Sequence, residues 1–289
     1  MFTHYLKIAF RNLTKYKMQT IISIIGLAVG FVCFALSALW IRYEMTFDTF
    51  HRDADKIYVI YSPSFLDDSF TRATVLPLAT YLKANFPEVA EAMSIIPSSS
   101  RGTITVEDVT LPALVIRADT SLLRIFDVRI IEGSRDFLIY GSGQVAITQR
   151  KAQQLFGNEN PIGKTISLGT IGAVVADMPK RSNYAFDLIA PFHSMPPEGQ
   201  EWLVSLGWHT IIKLHRGVNV EAFEERLYEY VFEASRRFPT IKPLTRIRYL
   251  DPTIERDIRF QHILLFALSG LLVVLCSLFN YWYKRLDRP

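Results

Sequence analysis

The chain is 289 residues long and carries a formal charge of +4, from 32 Lys and Arg against 28 Asp and Glu. Residues 42–262 hold 25 of those bases and 27 of the acids, so the positive excess lies at the two ends, where it suits anionic lipid and gives nucleic acid no support as a partner. The two cysteines, Cys33 and Cys276, both fall in apolar runs, which excludes a disulfide from the region between them.

Residues 2–16 set Phe2, Tyr5, Leu6, Ala9, Phe10, Leu13 and Tyr16 three and four apart, with Lys7, Arg11 and Lys15 on a stripe of their own. That pattern predicts an amphipathic helix in a cytoplasmic segment 1–19. Its basic face (Lys7, Arg11, Lys15 and Lys17) would lie on the inner leaflet; packing on a partner protein is the alternative. Residues 21–41, IISIIGLAVGFVCFALSALWI, carry no charge. At about 1.5 Å per residue they reach roughly 30 Å, the thickness of a bilayer's hydrocarbon core. The run is too long for a signal-peptide core, lacks a clear small-x-small cleavage site after it, and is apolar on every face, unlike a core helix. A transmembrane helix over 20–42 is therefore expected. Ser23, Gly26, Gly30, Cys33 and Ser37 recur along it as one stripe of small residues, with a GxxxG pair inside. Such a stripe suits close helix packing in lipid, while Leu27, Phe31, Phe34 and Trp40 suit the lipid side.

This helix should end near Met45, with turns at 48–55 and a strand over 57–61, IYVIY. A helix over 76–86 stops before Pro87. Arms 103–106 and 109–117 flank Glu107 and Asp108 as a hairpin, the second arm interrupted at Leu111–Pro112. A short helix over 121–126 and a strand over 145–148 follow. Thr148 is expected to cap a helix that stops at Gly157. Strands over 165–168 and 171–176 join at Gly169, and another covers 208–214. Asn219 caps a helix to about Arg236, with Phe223, Leu227, Tyr230, Val231 and Ala234 on one face. A strand over 246–250 closes the set. Irregular alternation of strand and helix predicts an α+β domain over 43–260, as one large or two intimate subdomains. A second charge-free run, 263–283, ends in Tyr281, Trp282 and Tyr283, aromatics that suit a membrane interface. It predicts a second transmembrane helix over 261–283, with Ala267, Gly270 and Ser277 as a matching groove, and a tail over 284–289. Basic flanks at both ends predict cytoplasmic termini and a large domain outside.

Several stretches carry a family resemblance. The opening, YLKIAFRNLTKYKMQTIISIIGLAVG, is followed by a block of Glu44, Phe47, Asp48, Phe50, His51, Ala54, Asp55, Ile57 and Tyr58. Downstream come LRIFDVRIIEG (123–133), QVAITQRKAQQLFGNENPIGKT (144–165) and AVVADMPK (173–180). In this order they resemble the MacB/FtsX-like ABC transporter permeases over essentially the whole chain. The resemblance implies a membrane subunit that pairs with a cytoplasmic ATPase, carries a large extracytoplasmic domain between its first two spans, and transmits motion across the membrane. Members serve efflux, lipoprotein release or control of cell-wall hydrolases. The family continues past the second span into a cytoplasmic loop and further spans, whereas six residues follow Tyr283 here. A fragment, a relict or a two-span form is the expectation.

Catalytic and cofactor chemistry finds no foothold. GNENPIGKT at 157–165 has five residues between its glycines where a phosphate-binding loop has four, and it follows a helix and precedes a strand. His4, His51, His193, His209, His215 and His262 contain no pair three or four apart and no cysteine beside them, so no metal is expected and each reads as a structural histidine. Ser98–Ser100 form a loop without a nucleophile-elbow pattern, and Asp67–Asp68 and Glu224–Glu225 read as solvated faces. The expected function is a non-catalytic permease-type subunit, or its N-terminal half, of an ABC transport or mechanotransmission complex in a bacterial inner membrane, its domain in the periplasm. Expected partners are the lipid bilayer, an ABC ATPase, a second permease copy or a missing C-terminal half, and periplasmic or outer-membrane components. The alternative is a two-span sensor or scaffold whose outer domain binds a ligand or protein; an extracytoplasmic enzyme comes third.

Overall fold

A computed structural model of the chain describes residues 11, 15, 17–63, 70–97, 102–106, 109–192, 207–235, 239–250 and 260–286. The chain divides into two compact units, Met1–Met45 with Pro252–Pro289, and Thr46–Asp251. Helix α1 covers Lys17–Glu44. No proline interrupts it, and no charge lies between Lys17 and Arg42, so nothing in its interior breaks the backbone ladder. Among the described residues it is the helix long and apolar enough to cross a membrane. Of the expected basic face, Arg11 and Lys15 are helical and exposed, and Lys17 opens α1. Lys7 and the rest of residues 2–16 lie outside the described residues.

The second unit is a mixed α+β domain on one large sheet. Strand β1 (Ile57–Pro63) is buried on both faces, which is why its sequence is continuously apolar rather than alternating. The short β2 (Phe70–Thr71) pairs with it. Helix α2 (Leu78–Asn85) buries Leu78, Ala79 and Leu82. Then follow β3 (Val89–Ile96), the separate hairpin β4 (Gly102–Val106) and β5 (Val109–Ala113), β6 (Val115–Ala118), helix α3 (Leu122–Ile125) and β7 (Ile130–Gly133). Strand β8 (Gln144–Thr148), helix α4 (Gln149–Phe156), β9 (Thr165–Ile166) and β10 (Gly169–Val175) come next. Strands β11 (Leu188–Ala190) and β12 (His209–Leu214), helix α5 (Val220–Ser235), β13 (Thr240–Pro243) and helix α6 (Ile247–Leu250) complete the unit.

The sheet runs β13-β1-β12-β3-β6-β11-β8-β10-β7. Its pairs are antiparallel except β6 with β11 and β8 with β10, the latter a crossover that carries α4. Two apolar clusters cover its two halves. Tyr58, Ile60, Leu82, Phe86, Ile212, Phe223 and Leu227 bring α2 and α5 onto β1 and β12. Val145, Ile147, Ile171, Val174 and Leu188 form the other, with Ile104 of the hairpin against them.

Four local expectations change. The second hairpin arm does not break at Pro112, which stays in β5 opposite Thr103. It breaks at Leu114, whose N–H donates to Asp187 Oδ2 at 3.0 Å, and β6 then joins the large sheet. Residues 246–250 are helical, because Pro243 ends β13 and Ile247 turns inward to a fully buried position. Glu224 is no solvated face: its Oε1 accepts the Ile241 N–H at 3.0 Å and the Thr240 hydroxyl, pinning β13 to α5. Thr148 occupies the N-cap of α4, but its hydroxyl makes no capping bond. Asp177 does that work from another loop, its Oδ1 accepting the Arg150 N–H at 3.0 Å. Asp177→Ala should therefore destabilise the protein by about 1 kcal/mol, as a lost cap does. Thr148→Val should be neutral or stabilising in thermal unfolding, because the Thr148 hydroxyl is buried without a partner among the described residues. A larger loss from Thr148→Val than from Asp177→Ala would reverse this assignment.

Helix α7 covers Phe260–Leu286 and runs antiparallel to α1. Its apolar run among the described residues is Leu264–Cys276. Cys33 and Cys276 are free.

Candidate functional site

Three non-glycine residues have positive φ among those described, and all three are aspartates: Asp48 (54°), Asp53 (57°) and Asp127 (49°). Left-handed backbone strains any residue with a Cβ, and Asp tolerates it because its short polar side chain bonds locally. Such residues cluster where a structure holds the chain in an unusual path. Here they gather on the segment 46–53, where the chain enters the sheet domain, and on the loop it touches.

Asp48 is buried, at 1% exposure. Its carboxylate accepts the Asn183 N–H at 3.2 and 3.1 Å and the Asn183 side-chain amide as well, while its own N–H donates to Arg181 O at 2.9 Å. Arg181 reaches back, Nη1 donating to Thr46 Oγ1 at 2.6 Å. The Arg248 guanidinium of α6 lies 4.0 Å over the Phe47 ring. The Arg52 N–H donates to Asp127 Oδ2 at 3.1 Å. Asp53 receives Lys56 Nζ at 2.6 Å and lies 3.3 Å from Lys213 Nζ of β12; these two ammonium groups hold its carboxyl below the usual range.

A series of rings runs inward from this entry. Phe50 lies 4.2 Å from the His51 ring, which stacks on Phe126 at 4.7 Å and 20°. Phe126 meets Tyr184 at 5.8 Å, and the Tyr184 hydroxyl bonds His209 Nδ1 at 3.0 Å on β12. His51 is buried, and neither ring nitrogen has a hydrogen-bond partner among the described residues; Nε2 stands 3.7 Å from Asp48 Oδ1. The arrangement offers no nucleophile with a base beside it, and among the described residues no group of His, Cys, Asp and Glu could hold a metal. What it does is mechanical. Hydrogen bonds, a left-handed turn and stacked rings fasten the entering chain to the strand between β1 and β3.

The chain matches the family model of the MacB-like periplasmic core domain over residues 20–230. It belongs to that family. These are membrane permeases of the MacB/FtsX type, with an extracytoplasmic core domain. The MacB-like fold recurs in a domain from Porphyromonas gingivalis described as belonging to a permease, at 21% identity and a TM-score of 0.58, over 67% of this chain and 92% of that one. The periplasmic region of MacB from Actinobacillus actinomycetemcomitans is similar at 18% identity and a TM-score of 0.50, over 71% of this chain and 95% of that one. A search of curated proteins finds no match.

The stretches that carried the MacB-like resemblance meet one another here. Block 44–58 bonds block 123–133 through Arg52 and Asp127; block 123–133 bonds block 173–180 through Arg129 O and the Ala176 N–H; block 173–180 bonds block 144–165 through Asp177 and Arg150. Sequence reading named these blocks without assigning them a task, and it missed Asn183 and Tyr184, which lie just past the last of them. Of the small-residue stripe, Gly30 and Ser37 are buried, Gly26 and Cys33 half-buried, and the Ser37 hydroxyl donates to Cys33 O at 2.8 Å. Gly270 is buried against Cys33 and Phe34. The side chains of Ser23 and Ser277 lie outside the described residues.

Proposed function

We propose that the chain is a non-catalytic permease-type subunit of an ABC transport complex, in which a cytoplasmic ATPase moves the membrane helices and the Asp48 anchor passes that motion to the extracytoplasmic domain. The observation that carries this reading is the anchor itself. The left-handed, non-glycine residues found among the described residues lie on the segment that follows α1, at Asp48 and Asp53, and on the loop that segment touches, at Asp127. A loosely tethered sensor domain has no use for such rigidity. In this reading α1 and α7 both cross the membrane, 1–19 and 284–289 are cytoplasmic, and the domain over 43–260 is outside. The transported cargo belongs to the efflux or envelope-transport class, and partners are the ATPase and a second permease copy or a C-terminal half.

Two measurements test it. A reporter active only outside the cytoplasm should work when inserted beside Asp67 and stay silent when fused after Pro289. Activity from the Pro289 fusion alone overturns the topology. Purification of the tagged chain from its native membranes should retain an ABC ATPase, identified by mass spectrometry. A chain that never retains such an ATPase supports the sensor reading instead.

A further inference from the structure

The anchor leaves one side of the segment 46–52 unused. Phe50 packs its ring at a tilt against His51, yet the residue remains 40% exposed. Thr49 and Arg52 beside it are exposed, as are Lys180 and Arg181 on the loop that holds Asp48. Arg248 covers Phe47 at the same place. The carboxylates nearest these residues in the chain or in contact with them are already engaged: Asp53, next to Arg52, pairs with Lys56 and Lys213. Asp48 is buried and bound to Asn183, and Asp127 receives the Arg52 N–H. The exposed surface is thus an aromatic ring among cations. The segment begins at Thr46, two residues after the last residue of α1, so the covalent chain keeps Thr46 within a few residues' reach of the end of that helix.

We infer that this face, with Phe50, Arg52, Lys180 and Arg181 at its centre, rests on anionic phospholipid headgroups. The aromatic ring takes the amphipathic interface depth that such rings favour, and the guanidinium and ammonium groups pair with phosphates. One signal alone binds a membrane weakly, whereas an apolar insertion and a basic patch together hold. The contact gives the anchor a footing: the entering chain is fixed to the sheet on one side and to the lipid surface on the other. The inference rests on α1 crossing the membrane and is independent of any ATPase.

The test uses the full chain with Cys33→Ala and Cys276→Ala, carrying one nitroxide label at Thr49→Cys or, as the water-exposed reference, at Glu159→Cys. Each is placed in nanodiscs of phosphatidylcholine with or without phosphatidylglycerol, and collision with a water-soluble nickel chelate is read by power saturation. With phosphatidylglycerol, the Thr49 label should be at least about three-fold less accessible to nickel than the Glu159 label. Arg52→Glu with Lys180→Glu, which leaves the covalent tether intact, should bring the Thr49 label back to the Glu159 value, and discs of phosphatidylcholine alone should do the same. Two results overturn the inference: equal accessibility of the two labels in phosphatidylglycerol discs, or protection of Thr49 that survives both charge reversal and removal of the anionic lipid. Unchanged circular dichroism in the doubly reversed chain separates lost lipid contact from lost folding.

Discussion

Replacing Asp48 with alanine should destabilise the Thr46–Asp251 unit by about 2–5 kcal/mol, the largest effect expected of a single side chain in the anchor. Two costs combine. Alanine at φ near 54° is strained by about 1–2 kcal/mol, a strain that Asp offsets with its own hydrogen bonds. The Asn183 N–H and amide then lose their acceptor in a part-buried site, and an unpaired buried donor costs about 1–3 kcal/mol. Two further substitutions separate the terms. Asp48→Gly removes the strain but not the unpaired donors. Asp48→Asn keeps an acceptor oxygen and tolerance of the left-handed region. Thermal unfolding of the full chain in detergent should rank the losses Asn below Gly below Ala. Equal losses for Asn and Ala would mean that the carboxylate's charge matters and its acceptor geometry does not. If the anchor also carries motion, Asp48→Gly should lose ATP-driven transport out of proportion to its loss of stability.

How far the sequence foretold all this depends on whether the cause was local. Helix α1 was legible because an unbroken apolar run has one stable answer in lipid. Strand β1 was legible from IYVIY, and α5 from the spacing of Phe223 and Leu227 behind Asn219, whose Oδ1 accepts the Ala222 N–H at 3.0 Å. Strand β3 was not. Its sequence, VAEAMSII, opens with good helix formers and does not alternate, and it is a strand because β12 pairs with it from His209 to Leu214. The same holds for β11, three residues whose partners lie on β6 and β8. Sheet order is a non-local fact, and residue patterns report local ones. The anchor fails to show for the same reason. Asp48 and Asn183 are 135 positions apart, and a left-handed aspartate looks in a sequence like any turn aspartate. The resemblance blocks pointed to the right places, but chemistry could be assigned only after the chain had folded them together.

Gly30→Ile should loosen the pairing of α1 with α7 by on the order of 1–3 kcal/mol, the usual cost of overpacking. No hydrophobic force gathers helices in lipid, so their association depends on how closely the backbones approach. A Cβ on Gly30 would stand 3.0 Å from Val274 Cγ2, 3.1 Å from Val273 Cγ1 and 3.2 Å from Gly270 O. The first two can swing aside, but the third is backbone. A Cβ on Gly270 meets the same limit, 3.1 Å from the Phe34 nitrogen and from Cys33 Cβ. Phe31, one position along and 65% exposed, is the control, and Phe31→Ile should cost little. The close pairs also set a register. Gly30 lies level with Val273 and Val274, and Cys33 with Gly270, so Ser37 should fall level with Ala267 one turn further along. Cysteines at Ser37 and Ala267, in a chain with Cys33→Ala and Cys276→Ala, should therefore form an intramolecular disulfide under mild oxidation. Adding Gly30→Ile should slow it roughly five-fold or more, since about 1.4 kcal/mol corresponds to a factor of ten in an equilibrium. Adding Phe31→Ile should leave it unchanged. Crosslinks that form only between chains would move the stripe to a dimer interface, and a Gly30→Ile chain that crosslinks like its parent would remove it as a packing face.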